Sequence, residues 1–210
     1  MRQKILVATT NPGKMKELSE MLAELAGQIE WLSLRDFGNV PDVEEDGHTF
    51  VENARKKALG YAQATGLWTL ADDSGLVIDA LDGQPGVRSA RYAESDVPLG
   101  DRKAIDRANF EKVLRLMKDV PAGQRTARFV CQLCLAKQGG TILLEADGCV
   151  EGVIGQAPDG ENGFGYDPIF YISGLGKTAA QLDAEEKNHI SHRAAAIAAL
   201  IPQLCTILKK

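Results

Sequence analysis

A lysine just past a tight turn and a pair of adjacent aspartates are the first residues of this chain whose types could do chemistry. In Thr9-Thr10-Asn11-Pro12-Gly13-Lys14 an apolar run ends, a turn follows, and a helical pattern begins at the lysine. Backbone N–H groups at a helix start attract phosphate, and Lys14 adds a full positive charge. The segment is not a Walker A loop, because the first glycine of that motif is absent and Met15 follows the lysine. Its bland alternative is a solvent-facing Asn-Pro-Gly turn. Asp72-Asp73-Ser74-Gly75 reads as a strand end. Adjacent side chains of a strand point to opposite faces, so one carboxylate can serve a site while the other serves structure. Hard oxygen ligands of this kind suit Mg²⁺, which takes one or two carboxylates together with phosphate oxygens. An acidic turn is the alternative.

Three further segments add to these. Glu44-Glu45-Asp46 is a solvated acidic loop unless a phosphate site lies beside it. Asn162-Gly163-Phe164-Gly165-Tyr166-Asp167-Pro168 flanks an aromatic with glycines, which lets backbone and ring approach a flat ligand closely. Phe164 can stack on a base and Asp167 can accept from ring N–H groups, or the aromatics simply fasten the loop to the core. Lys187-Asn-His-Ile-Ser-His192-Arg193 puts cations just before and at a helix N-terminus. The macrodipole disfavours cations there unless an acceptor sits opposite. Cys131-Gln-Leu-Cys134 matches C-x-x-C but lies within a strand pattern, where an offset of three sends the thiols to opposite faces. It reads as two packing cysteines, not a zinc or redox site.

The elements that must position these residues follow from the apolar spacing. Ile5 to Ala8 reads as a buried strand, then Met15, Leu18, Met21, Leu22 and Leu25 share one helix face. Residues 30–34 read as a second strand. Thr49 is an N-cap for a helix carrying Phe50, Val51, Ala54, Ala58 and Tyr61 inward. Thr69 to Ala71 form a strand that Leu76 to Ile78 resume, and residues 82–102 read as loop. Phe110, Val113, Leu114 and Met117 have helical spacing. Residues 126–136 and 141–154 read as a strand pair turning at Gly139-Gly140, and 155–167 as a glycine-rich loop. Asp183 with Glu186 fits a capping box, and Ser191 a cap for the last, Ala-rich helix. Strands that alternate with helices and later pair as a hairpin predict a mixed α/β sheet. The 210 residues suit one domain, with no internal repeat or linker. A net charge of −5 argues against a partner of polymeric nucleic acid. No run of 18 apolar residues is present, which argues against a membrane span, and four cysteines without an export signal fit a reducing cytoplasm.

Taken together, these segments resemble the inosine triphosphate pyrophosphatase family, which hydrolyses non-standard purine nucleoside triphosphates. The resemblance is carried by residues 9–14, Glu44-Glu45 before Thr49-Phe50, Glu52-Asn53-Ala54 with Lys57, and Ala71-Asp-Asp-Ser-Gly75. Pro85-Gly86, Ser89-Ala-Arg91-Tyr92, Gly163-Phe-Gly-Tyr-Asp-Pro168, Lys177-Thr178, Glu186-Lys187 and Ser191-His-Arg193 complete it. It spans nearly the whole chain in one order. Thr10 stands where close bacterial relatives often have Gly, a departure that touches the loop and not its chemistry. The resemblance implies a long central mixed sheet between two α/β lobes of a single domain, with the nucleotide in the cleft between them. It implies a homodimer, Mg²⁺, and cleavage between the α and β phosphates. Asp73 corresponds to the general base and a metal-site residue, Glu45 or its neighbour Glu44 to the second metal carboxylate, and Ser74 to a substrate contact. Lys14, Lys57 and Lys187 correspond to phosphate contacts, and Phe164, Asp167, His192 and Arg193 to base contacts. Thr9, Thr10, Asn11, Pro12, Gly13, Gly165 and Tyr166 belong with them to the substrate-binding set.

The residue chemistry agrees with that implication. Hydrolysis needs a positioned water, a metal to offset charge, and cations on the leaving pyrophosphate. Hypoxanthine and xanthine carry an acceptor at O6 where adenine carries a donor, and His192 and Arg193 are donors. A septum-inhibitor (Maf-like) pyrophosphatase would share the early basic loop but not Gly-Phe-Gly-Tyr-Asp-Pro together with Ser-His-Arg. A non-hydrolysing nucleotide sensor would lack the metal carboxylates.

Overall fold

The structure is a computed structural model, and it describes residues 2–93 and 101–209. Six strands form one mixed sheet in the order β2-β1-β3-β4-β5-β6. They are β1 (Gln3–Ala8), β2 (Ile29–Ser33), β3 (Trp68–Ile78), β4 (Thr126–Lys137), β5 (Thr141–Ile154) and β6 (Phe170–Ile172). The helices are α1 (Pro12–Met21), α2 (Phe50–Thr65), α3 (Arg102–Leu116), α4 (Ala184–Ile190) and α5 (His192–Leu208). β1 pairs in parallel with β2 and with β3, whereas β5 pairs antiparallel with β6. The parallel pairs take helical crossovers, and β4 passes to β5 through a turn in which Gly139 and Gly140 both have positive φ. The fold class is therefore the expected mixed α/β.

The chain packs as two compact units. The first contains Met1–Asp73, Cys131–Gly148 and His192–Lys210, and the second Ser74–Val130 and Cys149–Ser191. In the first unit the strands are apolar on both faces. Ile5, Val7, Leu70, Cys131, Leu133 and Leu135 pack with Leu18 of α1, with Leu22 just past its end, and with Ala196, Ile197, Leu200 and Leu204 of α5. Leu6, Ala8, Ala71, Cys134 and Ala136 pack with Ala54, Ala58, Tyr61 and Ala62 of α2. Strand periodicity accounts for the split, and it places Cys131 and Cys134 on opposite faces as their spacing predicts. The alanines recurring every fourth residue let α2 lie close on the sheet. In the second unit Leu76, Ile78, Val113, Met117, Ala127, Phe129, Ile154, Phe170 and Ile172 form the core.

Several elements depart from the sequence reading. β3 does not stop at Asp72; it runs unbroken through Asp72-Asp73-Ser74-Gly75. Gly75 permits this, since a Cβ there would lie 2.6 Å from the Gly86 carbonyl and 2.4 Å from Ser89 Oγ, the atom that accepts the Leu76 N–H. The stretch read as loop over 82–102 holds a 3-10 segment at Gly86–Arg91 and the first residue of α3, while residues 94–100 lie outside the described residues. Helix α1 ends at Met21. Leu22 and Leu25 reach the core through a following 3-10 turn. A short α4, capped by Asp183 and Glu186 as expected, precedes the last helix, and Ser191 stands between the two, immediately before α5 as its reading as a cap requires.

The second unit is pinned by a buried cation that serves backbone carbonyls. Arg125 donates from Nε to the Ile154 carbonyl at 2.7 Å, from Nη2 to that of Gly155 at 2.7 Å, and from Nη1 to those of Met117 and Val120. Met117 closes α3, so the guanidinium takes up carbonyls at the negative end of that helix. Arg125→Ala should lower the urea midpoint by the equivalent of about 3 kcal/mol, since it orphans buried carbonyls that a charged donor served. An unchanged midpoint would contradict this.

Candidate active site

The Asn-Pro-Gly-Lys turn follows β1 and opens α1. Asn11 caps the helix with its own side chain, its Oδ1 accepting the N–H groups of Gly13 at 2.9 Å and Lys14 at 3.2 Å. Thr9 Oγ1 accepts the Asn11 N–H at 3.2 Å. Pro12 supplies a preset φ at the first turn. The helix start thus holds an Asn carboxamide against two of its N–H groups, and an arriving anion competes with that acceptor. Thr10 is exposed beside it.

Lys14 turns its ammonium onto Asp72, whose side chain is fully buried. The same carboxylate accepts from Arg193 Nε at 3.0 Å and from the Cys131 thiol at 3.0 Å. Arg193, itself 1% exposed, also donates to Glu17. Burial opposes ionisation of Asp72, but Arg193, Lys14 and Lys57 outweigh it and hold the carboxyl well below the usual range. Burial and the Asp72 charge push the Cys131 thiol up, so it stays a protonated donor. The expectation that Arg193 needs an acceptor opposite it is met from within the chain. The acceptors are Asp72 and Glu17, where the sequence reading placed a purine O6. His192, the first residue of α5, is buried. Gly148 brings β5 against this helix start, because a Cβ there would lie 2.1 Å from the His192 carbonyl oxygen.

Asp73 points to the other face of the strand. Its Oδ1 lies 3.6 Å from Lys57 Nζ, which also donates to Glu45 at 3.0 Å. Asp73 Oδ2 is buried and has no hydrogen-bond partner among the described residues. Burial raises the Asp73 carboxyl to about 6, with Lys57 and Lys14 pulling it down and Glu45 and Asp72 adding to the rise. Burial opposes the charge of Lys57, but Asp73, Glu45 and Asp72 together hold its pKa above the ordinary value. Adjacent residues of one strand thus carry a fully compensated carboxylate and a strained one, the separation from which acid and base roles are built.

The acidic loop is held to α2 by several contacts. Thr49 and Glu52 form a capping box, Asn53 Oδ1 accepts the Gly47 N–H at 2.8 Å, and Asp46 pairs with Lys56. Gly60 leaves room for Val43, whose Cγ2 would lie 2.7 Å from a Cβ at that position. These contacts turn Glu45 inward to Lys57 and leave Glu44 exposed. Among the described residues no group of three or more His, Cys, Asp or Glu side chains is placed to hold a metal ion unaided. Glu45 and Asp73 with its partnerless buried oxygen still fit Mg²⁺, which fills its remaining positions with water and phosphate oxygens.

A second cluster lies in the second unit. The Phe164 N–H donates to Asp167 Oδ2 at 2.8 Å, and Lys187 Nζ donates to the same oxygen at 2.5 Å. The Lys187 ammonium sits 4.7 Å from the centre of the Phe164 ring. Gly163 has φ +75°, and a Cβ there would lie 2.1 Å from Asp167 Oδ2, so only glycine fits. Tyr166 is buried and donates to the Ser89 carbonyl at 2.8 Å. Lys187, on α4, is grouped with the aromatic loop through its pair with Asp167. Ser74 is half-buried and follows Asp73 on β3. The sequence reading missed Glu17, three residues after Lys14 on α1, and it gave Cys131 only a packing role. A buried glutamate one helical turn from a site lysine is the signal that pointed to the first.

The Ham1 family model matches residues 5–203 of the chain. A dITP/XTP pyrophosphatase of an Exiguobacterium strain is 48% identical over 206 residues, covering 98% of this chain and 99% of the relative. The dITP/XTP pyrophosphatase of Bacillus subtilis is 48% identical over 192 residues, 91% of this chain and 92% of the relative. Among solved structures, a HAM1 protein from Coxiella burnetii superposes with a TM-score of 0.85 at 42% identity, covering 97% of this chain and 99% of that one. The Ham1 protein of Staphylococcus aureus gives 0.80 at 38% identity, with 99% and 100% covered.

The strained carboxylate has a stability consequence in metal-free protein. With a folded value near 6 against 3.8 when unfolded, the folded state binds the extra proton between those values. Stability from this group is full below the unfolded value, falls as pH rises to about 6, and is level above. Asp73→Asn in EDTA should therefore raise Tm above wild type at pH 7.5, with the gap closing near pH 4. Thermal unfolding across that range checks it, and a mutant less stable than wild type at pH 7.5 would contradict it.

Proposed function

We propose, for a chain that belongs to the Ham1 family, hydrolysis of non-standard purine nucleoside triphosphates such as dITP, ITP and XTP to the monophosphate and pyrophosphate. The observation that carries the reading is the pair of unlike carboxylates: Asp73, buried with an oxygen lacking a partner, beside Asp72, fully tied by cations and a thiol. The names of the relatives support the substrate class.

In this reading Asp73 takes the proton of the water that attacks the α-phosphorus, because it is a buried carboxylate with an oxygen that no described residue engages. Lys57 keeps Asp73 and Glu45 together and offsets phosphate charge. Asp72 and Arg193 fix Lys14 at the start of α1, where its ammonium and the Thr9–Gly13 turn receive the phosphates. Glu45 and Asp73 would hold Mg²⁺, which would supply charge neutralisation on the phosphates and orientation of water. Phe164 stacks on the base, Gly165, Tyr166 and Asp167 shape its loop, and Lys187 supplies the donor to O6. The assignment of O6 to Lys187 replaces the one to Arg193, whose Nε and Nη1 serve Asp72 and Glu17. His192 and Ser74 keep their proposed substrate-contact roles. A homodimeric, cytoplasmic enzyme belongs to the same reading through the family resemblance.

Incubation with Mg²⁺ and ITP, dITP, XTP, GTP or ATP should yield monophosphate and pyrophosphate from the first three. Orthophosphate should appear only after added inorganic pyrophosphatase, and excess EDTA should stop turnover. Direct release of orthophosphate with a nucleoside diphosphate, or undiminished rates in EDTA, would overturn the reading. Lys14→Ala should depress kcat/KM for all triphosphates alike, by about 10- to 150-fold for a lost charged hydrogen bond. Lys187→Ala should hurt ITP and XTP more than ATP, and equal losses across the bases would remove Lys187 from base reading.

A further inference from the structure

The loop that carries Phe164 is fixed from an element that has no part in the site so far. Asp106, on the second turn of α3, is 9% exposed and accepts the Gly165 N–H on Oδ2 at 3.0 Å, across 59 residues of sequence. Its Oδ1 lies 2.9 Å from Arg102 Nη2, one turn earlier on the same helix. Burial raises the Asp106 carboxyl, with Arg102 and the Gly165 N–H acting against that rise. Gly165 has φ +65°, a left-handed conformation that glycine adopts without steric cost.

Two carboxylates thereby take successive backbone N–H groups, Asp167 that of Phe164 and Asp106 that of Gly165. One turn further along α3, Asn109 donates to the Ser89 and Ala90 carbonyls and accepts the Ala93 N–H at 2.7 Å. Ser89 in turn receives the Tyr166 hydroxyl. The same helix thus holds the loop directly at Gly165 and, through the Ser89 carbonyl, at Tyr166. Phe164 itself is only half-buried, so its backbone is fixed more firmly than packing of its ring requires.

We infer that Asp106 is a positioning residue for base recognition: its hydrogen bond to Gly165 sets the Phe164 ring at the angle a purine stacks on. The inference rests on the reading that this loop takes the base. It predicts a defect confined to the nucleoside end of the substrate, which general damage to the fold would not produce.

The test uses the full-length enzyme with Mg²⁺ and compares wild type, Phe164→Ala, Asp106→Ala and Asp106→Asn. KM and kcat are measured for ITP, and product inhibition by pyrophosphate reports the phosphate end alone. Asp106→Ala should raise KM about tenfold, the size of one charge-assisted hydrogen bond. Its kcat and pyrophosphate inhibition should stay within about twofold of wild type. Asp106→Asn keeps an acceptor for the Gly165 N–H and should bring KM back to within about threefold. Phe164→Ala should raise KM by about 5- to 150-fold through lost stacking. A raised KM in Phe164→Ala with an unchanged one in Asp106→Ala would overturn the inference and leave the base assignment standing. An equal weakening of pyrophosphate inhibition, or Asp106→Asn no better than Asp106→Ala, would also overturn it. An unchanged KM in Phe164→Ala would remove the base assignment and this inference with it.

Discussion

A fully buried carboxylate must be compensated or neutral, and the arrangement around Asp72 follows from that constraint. Its charge is held by Lys14 from α1, Arg193 from α5 and the thiol of Cys131 from β4. Removing one member would leave another charge buried without its partner, a far larger cost than the net worth of the intact set. The interaction therefore ties α1 and α5 to the same strand and brings the start of α1 beside the acidic residues.

Strand geometry turns this structural anion into a chemical asset. Because β3 runs unbroken through Asp72 and Asp73, the two side chains part to opposite faces. Asp72 meets the cations of α1 and α5, and Asp73 meets Lys57 of α2, with Lys14 adding a weaker pull. The negative charges of Asp72 and Glu45 then add to burial in raising Asp73. One dipeptide thus carries a carboxyl held well below the usual range and another raised to about 6.

Much of this was legible in the residues. Apolar spacing placed β1, α2, α3 and the β4–β5 pair, and the Thr49 and Asp183 caps were readable because capping chemistry is local. The C-x-x-C pair could be set aside from strand periodicity alone. What escaped depended on contacts between distant segments. The acceptors for Arg193 lie 121 and 176 residues away, so helix-dipole reasoning could detect that an acceptor was needed but not which one it was. Continuity of β3 past Asp73 depends on the packing of Gly75 against Ser89 and Gly86, and turn-forming residue types hid it.

The central claim is that adjacent aspartates have been driven apart in acidity. Carbon-13 NMR of the side-chain carboxyls in metal-free protein, with Asp72 and Asp73 assigned by single substitution, tests it most directly. Asp73 should titrate near 6 and Asp72 should show no midpoint before the protein unfolds in acid. Midpoints for both residues near the ordinary aspartate value of about 4 would contradict the account.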